Sequence, residues 1–192
     1  MSNAIEVELK ARVSDLAAVE ERLRGRARFL DEISYTDYYF TPAGTSGFSF
    51  HRFRLRQSED RALVTFKEKL VGHERGVHEH EFEVSDAEAF LDFARKFGFQ
   101  LMLTKTKQGR RYRLDPAAGS NSLPATVELV RIGELGDFVE IEVMVFDPAV
   151  VPQAEARLKE VLHELGLPEA AIESRAYTKL LYDQKHGGEK KP

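Results

Sequence analysis

Six stretches of this sequence place ionisable or polar side chains at every second residue. Glu6, Glu8 and Lys10 alternate with Ile5, Val7 and Leu9, and Arg52, Arg54 and Arg56 alternate with Phe53 and Leu55. Thr65, Lys67 and Lys69 follow, then Glu79, Glu81 and Glu83, then Lys105 and Lys107, and finally Glu140 and Glu142 on either side of Ile141. Successive residues of an extended chain point to opposite faces, so each set forms one line. A solvent-facing strand explains any single line. The repetition argues for more, because whole strands carry one sign or a compact acid-acid-base set.

If the apolar faces are covered by helices, the charged faces turn toward one another inside a closed or nearly closed sheet. A barrel of about eight strands has an interior just wide enough for side chains or a small ligand. Two carboxylates about 4 Å apart repel by roughly 4 kcal/mol at an effective dielectric near 20. Clustering Glu6, Glu8, Glu140 and Glu142 therefore forces protonation unless a cation sits among them. An oxygen-only ligand set, without cysteine and with few histidines, suits Mg²⁺ or Mn²⁺ better than zinc. The lysines and arginines suit phosphate oxygens, Arg bidentately and Lys as a point charge. Together these residues describe a metal-bridged polyphosphate site.

Three amphipathic helices are available to cover the apolar faces. One follows Asp15, with Leu16, Val19 and Leu23 on one side. The second starts at a Ser85–Glu88 capping box and turns Ala87, Phe90, Leu91, Ala94 and Phe97 inward before Gly98 stops it. The third lies beyond Pro152, with Leu158, Val161, Leu162 and Leu165 at helical spacing. A short helix through Tyr177 and Leu181 ends the chain. Extended segments are expected over 29–40, from Phe48, and over 53–57, 62–70, 77–84, 99–114, 125–132 and 137–146. The order is α+β, an antiparallel β-barrel flanked by helices. One domain is expected over residues 1–183, with a polar, disordered tail over 184–192.

The bulk numbers fit this reading. At 192 residues and with 31% charged residues, the chain is one domain's worth of sequence with an unusually high charge content. Lys plus Arg is 28 against 32 for Asp plus Glu, which argues against nucleic-acid binding through bulk positive charge. No cysteine is present, excluding disulfides and thiolate chemistry. No apolar run is long enough to span a bilayer, so the expectation is a cytoplasmic protein without a membrane partner. No G-x-x-x-x-G-K-[ST] loop occurs. His78 and His80 lie on the face opposite Glu79 and Glu81, which places them outside the hollow.

Several motifs occur in the order found in the CYTH, or triphosphate tunnel, superfamily. Glu6-Val7-Glu8-Leu9-Lys10 matches its E-x-E-x-K signature, and Asp37-Tyr38-Tyr39-Phe40 resembles its D-x-Y-F segment. Arg54-Leu55-Arg56, Val64-Thr65-Phe66-Lys67 and Glu79-His80-Glu81 are similar to its next three strands. Leu135 to Glu142 closely resembles its L-G-x-F-x-E-I-E hairpin, and Ser174 to Leu181 its closing tyrosine-containing helix. The resemblance covers nearly the whole chain. It implies that Glu6, Glu8, Glu140 and Glu142 hold one or two divalent metals, with Glu6, Glu8 and Lys10 catalytic. Lys10, Arg54, Arg56, Lys67, Lys69, Lys105, Lys107 and Arg111 would grip a triphosphate, and Glu79 and Glu81 would complete the acidic lining.

Two departures stand out. Val130 occupies the position of a family aspartate, so that either Glu128, on the same strand face, substitutes for it or one metal site is weakened. The family's K-x-R-x-x-Y strand reads Lys107, Gly109, Tyr112 here, so Arg110 or Arg111 would serve if the strand bulges at Gly109.

The resemblance admits a triphosphatase acting on tripolyphosphate, thiamine triphosphate or a nucleotide, and a class IV adenylyl cyclase acting on ATP. A non-catalytic triphosphate-binding module is a third class. Hydrolysis is placed ahead of cyclisation, because it needs only a pocket for the phosphate tail. The partner is a small-molecule triphosphate, with a homodimer left open.

Overall fold

The alternation beginning at Ile5 produces the first strand, β1 (Ile5–Arg12), with Ile5, Val7, Leu9 and Ala11 fully buried on one face. The computed structural model describes residues 4–49, 52–69, 76–116 and 121–187. After β1 come α1 (Leu16–Leu23), β2 (Arg28–Pro42), β3 (Phe53–Gln57), β4 (Ala62–Lys69) and β5 (Gly76–Val84). Then follow α2 (Ala87–Lys96), β6 (Phe99–Leu114), β7 (Ala125–Ile132), β8 (Gly136–Val145), α3 (Val151–Glu164) and α4 (Tyr177–Lys185). The eight strands close into a barrel in the order β1-β5-β4-β3-β2-β6-β7-β8, and each pairing is antiparallel. The expected α+β barrel with flanking helices is therefore what the chain forms.

The outer apolar faces of β1, β7 and β8 share one core with α1 and α3. There Leu158, Val161 and Leu162 of α3 lie with Val7, Leu9, Ile141 and Val143, all fully or almost fully buried. Burying side chains of this size contributes roughly 1.5–3 kcal/mol each, which fixes the sheet's polarity: apolar out toward the helices, charged in. A second outer core lies under α2, where Ala94 meets Phe40, Leu55 and Val64. Asp15 caps α1 by accepting a hydrogen bond from the Ala18 amide.

One end of the ring is filled by apolar side chains. Ile33 (β2), Val130 and Ile132 (β7) and Phe138 (β8) meet Tyr177 and Leu180 of α4, with Leu181 packed nearby on Tyr39 and Leu103. The barrel is thus a charged hollow with an apolar stopper at one end.

Several local expectations change. Phe48 and Ser49 carry no strand, and the next strand begins at Phe53. The cap of α2 is Asp86, whose carboxylate accepts from the Ala89 amide, so the Ser85–Glu88 box does not form. Phe97 is two-thirds exposed, because the sheet under α2 covers a narrower stripe than the helix presents. The terminal helix continues to Lys185, past the tail boundary set at Gln184, and residues 188–192 lie outside the described residues.

β6 does not bulge at Gly109, which pairs with Val130 in continuous register from Lys107 to Leu114. The β2–β6 pairing is irregular at two other places, between Phe29 and Asp31 of β2 and at Met102 of β6, opposite Tyr39 and Phe40. A Cβ on Gly109 would stand 2.1 Å from the Leu129 carbonyl oxygen and 2.8 Å from Val130 Cα, so glycine here serves close strand approach.

Candidate active site

The inward face of the barrel surrounds a cavity of about 490 Å³. Among the described residues, seven carboxyl groups and seven cationic side chains line it. They are sorted by strand. Going round the ring, Glu128 (β7), Glu140 and Glu142 (β8), Glu6 and Glu8 (β1) and Glu79 and Glu81 (β5) form one contiguous acidic half. Lys67 (β4), Arg54 and Arg56 (β3) and Lys105, Lys107 and Arg111 (β6) form the basic half, with Lys10 the one cation on the acidic side. Most residues placed inward by their line on a strand reach it; the Lys69 side chain lies outside the described residues, and Thr65 is buried and donates to Glu81 without lining the cavity. Arg52 and Glu83, drawn on the same lines, are exposed beyond the rim.

On the basic half the organising residue is Asp37, which the sequence reading left without a role. The strand register sets it between Arg56 on one side and Lys105 on the other. Its fully buried carboxylate accepts from Arg56 Nε at 2.8 Å, lies 3.0 Å from Lys105 Nζ and 3.8 Å from Arg54. Burial alone would raise its pKa; the Lys105, Arg54 and Arg56 charges overcome that and hold it well below the ordinary range. Tyr39 donates to the same carboxylate at 3.1 Å, and the Arg56 guanidinium lies 3.6 Å from the centre of the Tyr35 ring. Asp37, Tyr35 and Tyr39 share one line on β2, a repeat of two visible in the sequence.

Lys107 reaches across to the acids, 2.5 Å from Glu128 and 2.7 Å from Glu140. Arg111 Nε donates to the other Glu128 oxygen at 2.7 Å. Alternation from Lys107 through Gly109 carries Arg111 inward without a bulge, while Arg110 points out and pairs with Glu20. Lys67 pairs with Glu6 at 2.7 Å and Glu79 at 3.3 Å, and Arg54 reaches Glu79 at 3.0 Å. Lys10 has no carboxylate within 4 Å among the described residues and stands 5.3 Å from the Tyr177 ring centre.

The acidic half carries repulsion that the lysines relieve only in part, with Lys107 between Glu128 and Glu140 but no lysine within 4 Å of Glu8 or Glu142 among the described residues. Register places Glu8 directly opposite Glu142 and Glu140 directly opposite Glu128, and like charges in that position destabilise a sheet. Burial, then Glu128 and Glu8, push the Glu142 carboxyl up to about 7. Burial also raises Glu6, to about 9, with Glu79 and Glu8 adding to it against Lys67. Glu79 moves the other way despite burial, because the Glu6 contact, Lys67 and Arg54 favour its ionised form. One proton is thus shared by the Glu6–Glu79 pair.

Two opposing observations test whether these acids suit a divalent cation. Among the described residues, no three Asp, Glu or His groups already converge as a coordinating set, since lysines draw several of the carboxylates aside. Yet Glu140 Oε1 is buried with no hydrogen bond of normal geometry among the described residues, facing only the Tyr177 hydroxyl, and Glu8 stands directly opposite Glu142. All donors are hard oxygens, the set that Mg²⁺ or Mn²⁺ takes. The residues fit such an ion once Glu140 and Glu6 exchange lysine for metal. Glu128 lines the hollow, whereas Val130 is fully buried in the apolar stopper and offers nothing to it. His80 lies outside, stacked on Phe66 and 3.4 Å from Glu68.

Comparison with known proteins gives a consistent answer. The profile of the CYTH domain matches residues 4–177. The Aeromonas hydrophila adenylate cyclase CyaB is 24% identical over 178 residues, covering 91% of this chain and 87% of that protein. A conserved hypothetical protein from Pyrococcus furiosus superposes with a TM-score of 0.71 at 28% identity, over 91% of this chain and 99% of that one. The Hippeastrum protein HpAC1, described by its dominant triphosphatase activity, superposes at 0.57 with 14% identity, over 95% of this chain and 96% of its own. That last likeness concerns the fold. No helix among the described residues is long and apolar enough to cross a membrane.

Proposed function

The chain belongs to the CYTH domain family, and from that premise we propose that it is a divalent-metal-dependent enzyme that cleaves a triphosphate-bearing small molecule inside the barrel. One observation carries the reading: an acidic half-ring faces a basic half-ring across a single hollow. Acidic and basic residues are equal in number in the lining among the described residues, so a polyanion entering alone adds uncompensated negative charge. A divalent cation entering with it offsets part of that charge.

Arg54, Arg56, Lys105, Lys107 and Arg111 hold the phosphoryl oxygens. Arg54 Nε is buried without a partner and has a hydrogen bond to give. Asp37 fixes the Arg54, Arg56 and Lys105 heads in place before substrate arrives, so little ordering remains to be done on binding. Glu6, Glu8, Glu140 and Glu142 hold the metal, with Glu128 beside them. When bound, the ion lowers the pKa of the attacking hydroxyl or water and neutralises charge on the phosphoryl oxygens. Lys10, on the acidic half and without a carboxylate within 4 Å among the described residues, neutralises charge that develops on the departing oxygen.

Hydrolysis of the tail is the primary reading, since it needs only the phosphate-gripping cations and the metal-holding acids of the hollow. Cyclisation of ATP is the second, supported by the Aeromonas adenylate cyclase relative. The deciding experiment incubates the protein with ATP, tripolyphosphate or thiamine triphosphate, with Mg²⁺ or Mn²⁺. Orthophosphate release supports the hydrolase; cyclic AMP with pyrophosphate identifies the cyclase. Absence of both products from all three substrates overturns the enzymatic reading and leaves a binding module.

A further inference from the structure

The N-terminus of α4 opens into the hollow. Ala176, Tyr177 and Thr178 all line it, and no side chain caps the helix. The first amides of a helix have no intrahelical acceptor, and the aligned peptide dipoles place partial positive charge there. Thr178, in that same turn, points to a ligand independently: it is 3% exposed and its Oγ1 has no hydrogen-bond partner among the described residues. Tyr177 is 8% exposed and its hydroxyl lies against Glu140 without a hydrogen bond of normal geometry. Buried hydroxyls are seldom left unpaired, because desolvating one without a partner is costly. Cations flank this turn, with Lys10 and Lys105 at 5.3 and 5.4 Å from the Tyr177 ring centre. Glu140 stands on the facing wall with one oxygen committed to Lys107.

We infer that the first turn of α4 is an anion subsite that receives one terminal phosphoryl group of the substrate at the stoppered end of the hollow, through the amides of this turn and the hydroxyls of Tyr177 and Thr178. This rests on the triphosphate reading above and adds a direction to it. The chain of phosphates runs from α4 toward the open rim, so a substrate's organic group, if it has one, faces out. Helix N-termini bind phosphate by this combination of amides and dipole.

Inorganic tripolyphosphate, which lacks an organic group, is the probe. Its affinity for the full-length protein is measured by titration calorimetry with Mg²⁺ present, for the wild type, Thr178→Val, Thr178→Ser and Tyr177→Phe. Thr178→Val keeps the side-chain shape and removes the hydroxyl, so the dissociation constant should rise about tenfold, as for loss of a hydrogen bond to a charged group. Tyr177→Phe should raise it similarly. Thr178→Ser keeps the hydroxyl and should stay within about threefold of wild type, whereas a packing role would follow the lost methyl and reverse the order of the two variants. Melting curves without ligand show whether each variant is folded. Equal affinity in wild type, Thr178→Val and Tyr177→Phe overturns the subsite and leaves the proposed function standing. Wild-type protein that binds no tripolyphosphate overturns both.

Discussion

Glu142→Gln isolates the repulsion within the acidic half, which the proposed function assigns to a divalent cation. In the metal-free protein the Glu142 carboxyl is pushed from 4.5 up to about 7 by burial and by Glu128 and Glu8. The folded chain therefore holds a proton that the unfolded chain has released between pH 4.5 and about 7, so stability falls as pH rises through that window. At about 1.4 kcal/mol for each tenfold change in proton affinity, ionising Glu142 costs up to about 3 kcal/mol by pH 8. For a chain of this length that is roughly 6–12 °C in melting temperature. Glutamine keeps the shape and removes the charge. In EDTA the variant should melt close to wild type at pH 5 and several degrees above it at pH 8. Adding Mg²⁺ or Mn²⁺ at pH 8 should reverse the order, because a carboxylate ligand has gone. A melting difference that is the same at pH 5 and pH 8 would refute the argument that neighbouring acids hold this proton in place.

Other outcomes follow from single contacts. Asp37→Asn leaves Arg54, Arg56 and Lys105 buried without their shared counter-charge, and urea unfolding at pH 7 should show a loss of about 3–5 kcal/mol; a loss under about 1 kcal/mol would contradict its organising role. Because the Asp37 pKa is lowered, its contribution is complete above its ordinary value of 3.8 and is lost as pH falls below that, so the wild-type advantage over Asp37→Asn should shrink only in acid. Gly109→Ala drives a Cβ into the β7 backbone and should cost about 1–3 kcal/mol by thermal melting, with an unchanged melting point counting against the close approach. Arg111→Ala should weaken tripolyphosphate binding about tenfold while Arg110→Ala leaves it within twofold, since only the first guanidinium enters the hollow; equal effects would mean the wrong arginine was assigned.

The ring was legible because a strand's period of two is unambiguous when one face is charged and the other aliphatic. Glu6, Glu8, Lys67, Glu79, Lys107, Glu140 and Glu142 could be assigned inward from their own neighbours. Asp37 could not. Its importance comes from the register of β2 against both β3 and β6, strands about 20 and 70 residues away in the chain, and local sequence does not encode that pairing. Arg111 was within reach of the same alternation that placed Lys107; the expected bulge at Gly109 obscured it, although the irregularity nearest to it lies in the partner strand. For α2, Ser85 and Asp86 are both good caps, and backbone geometry chose the second. The amphipathic pattern of α4 foretold a docked helix but not which end of the ring it would stop.

The internal ion pairs have a thermodynamic consequence. Lys67 is engaged with Glu6 and Lys107 with Glu140, so a metal competes with ammonium groups for carboxylates and a phosphate competes with carboxylates for ammonium groups. Either guest arriving first frees the partner that the second requires. Linkage makes such assistance reciprocal: the factor by which the metal tightens phosphate is the factor by which phosphate tightens the metal. On the proposed function, the barrel would be stable with its own charges paired and receptive when both guests arrive together.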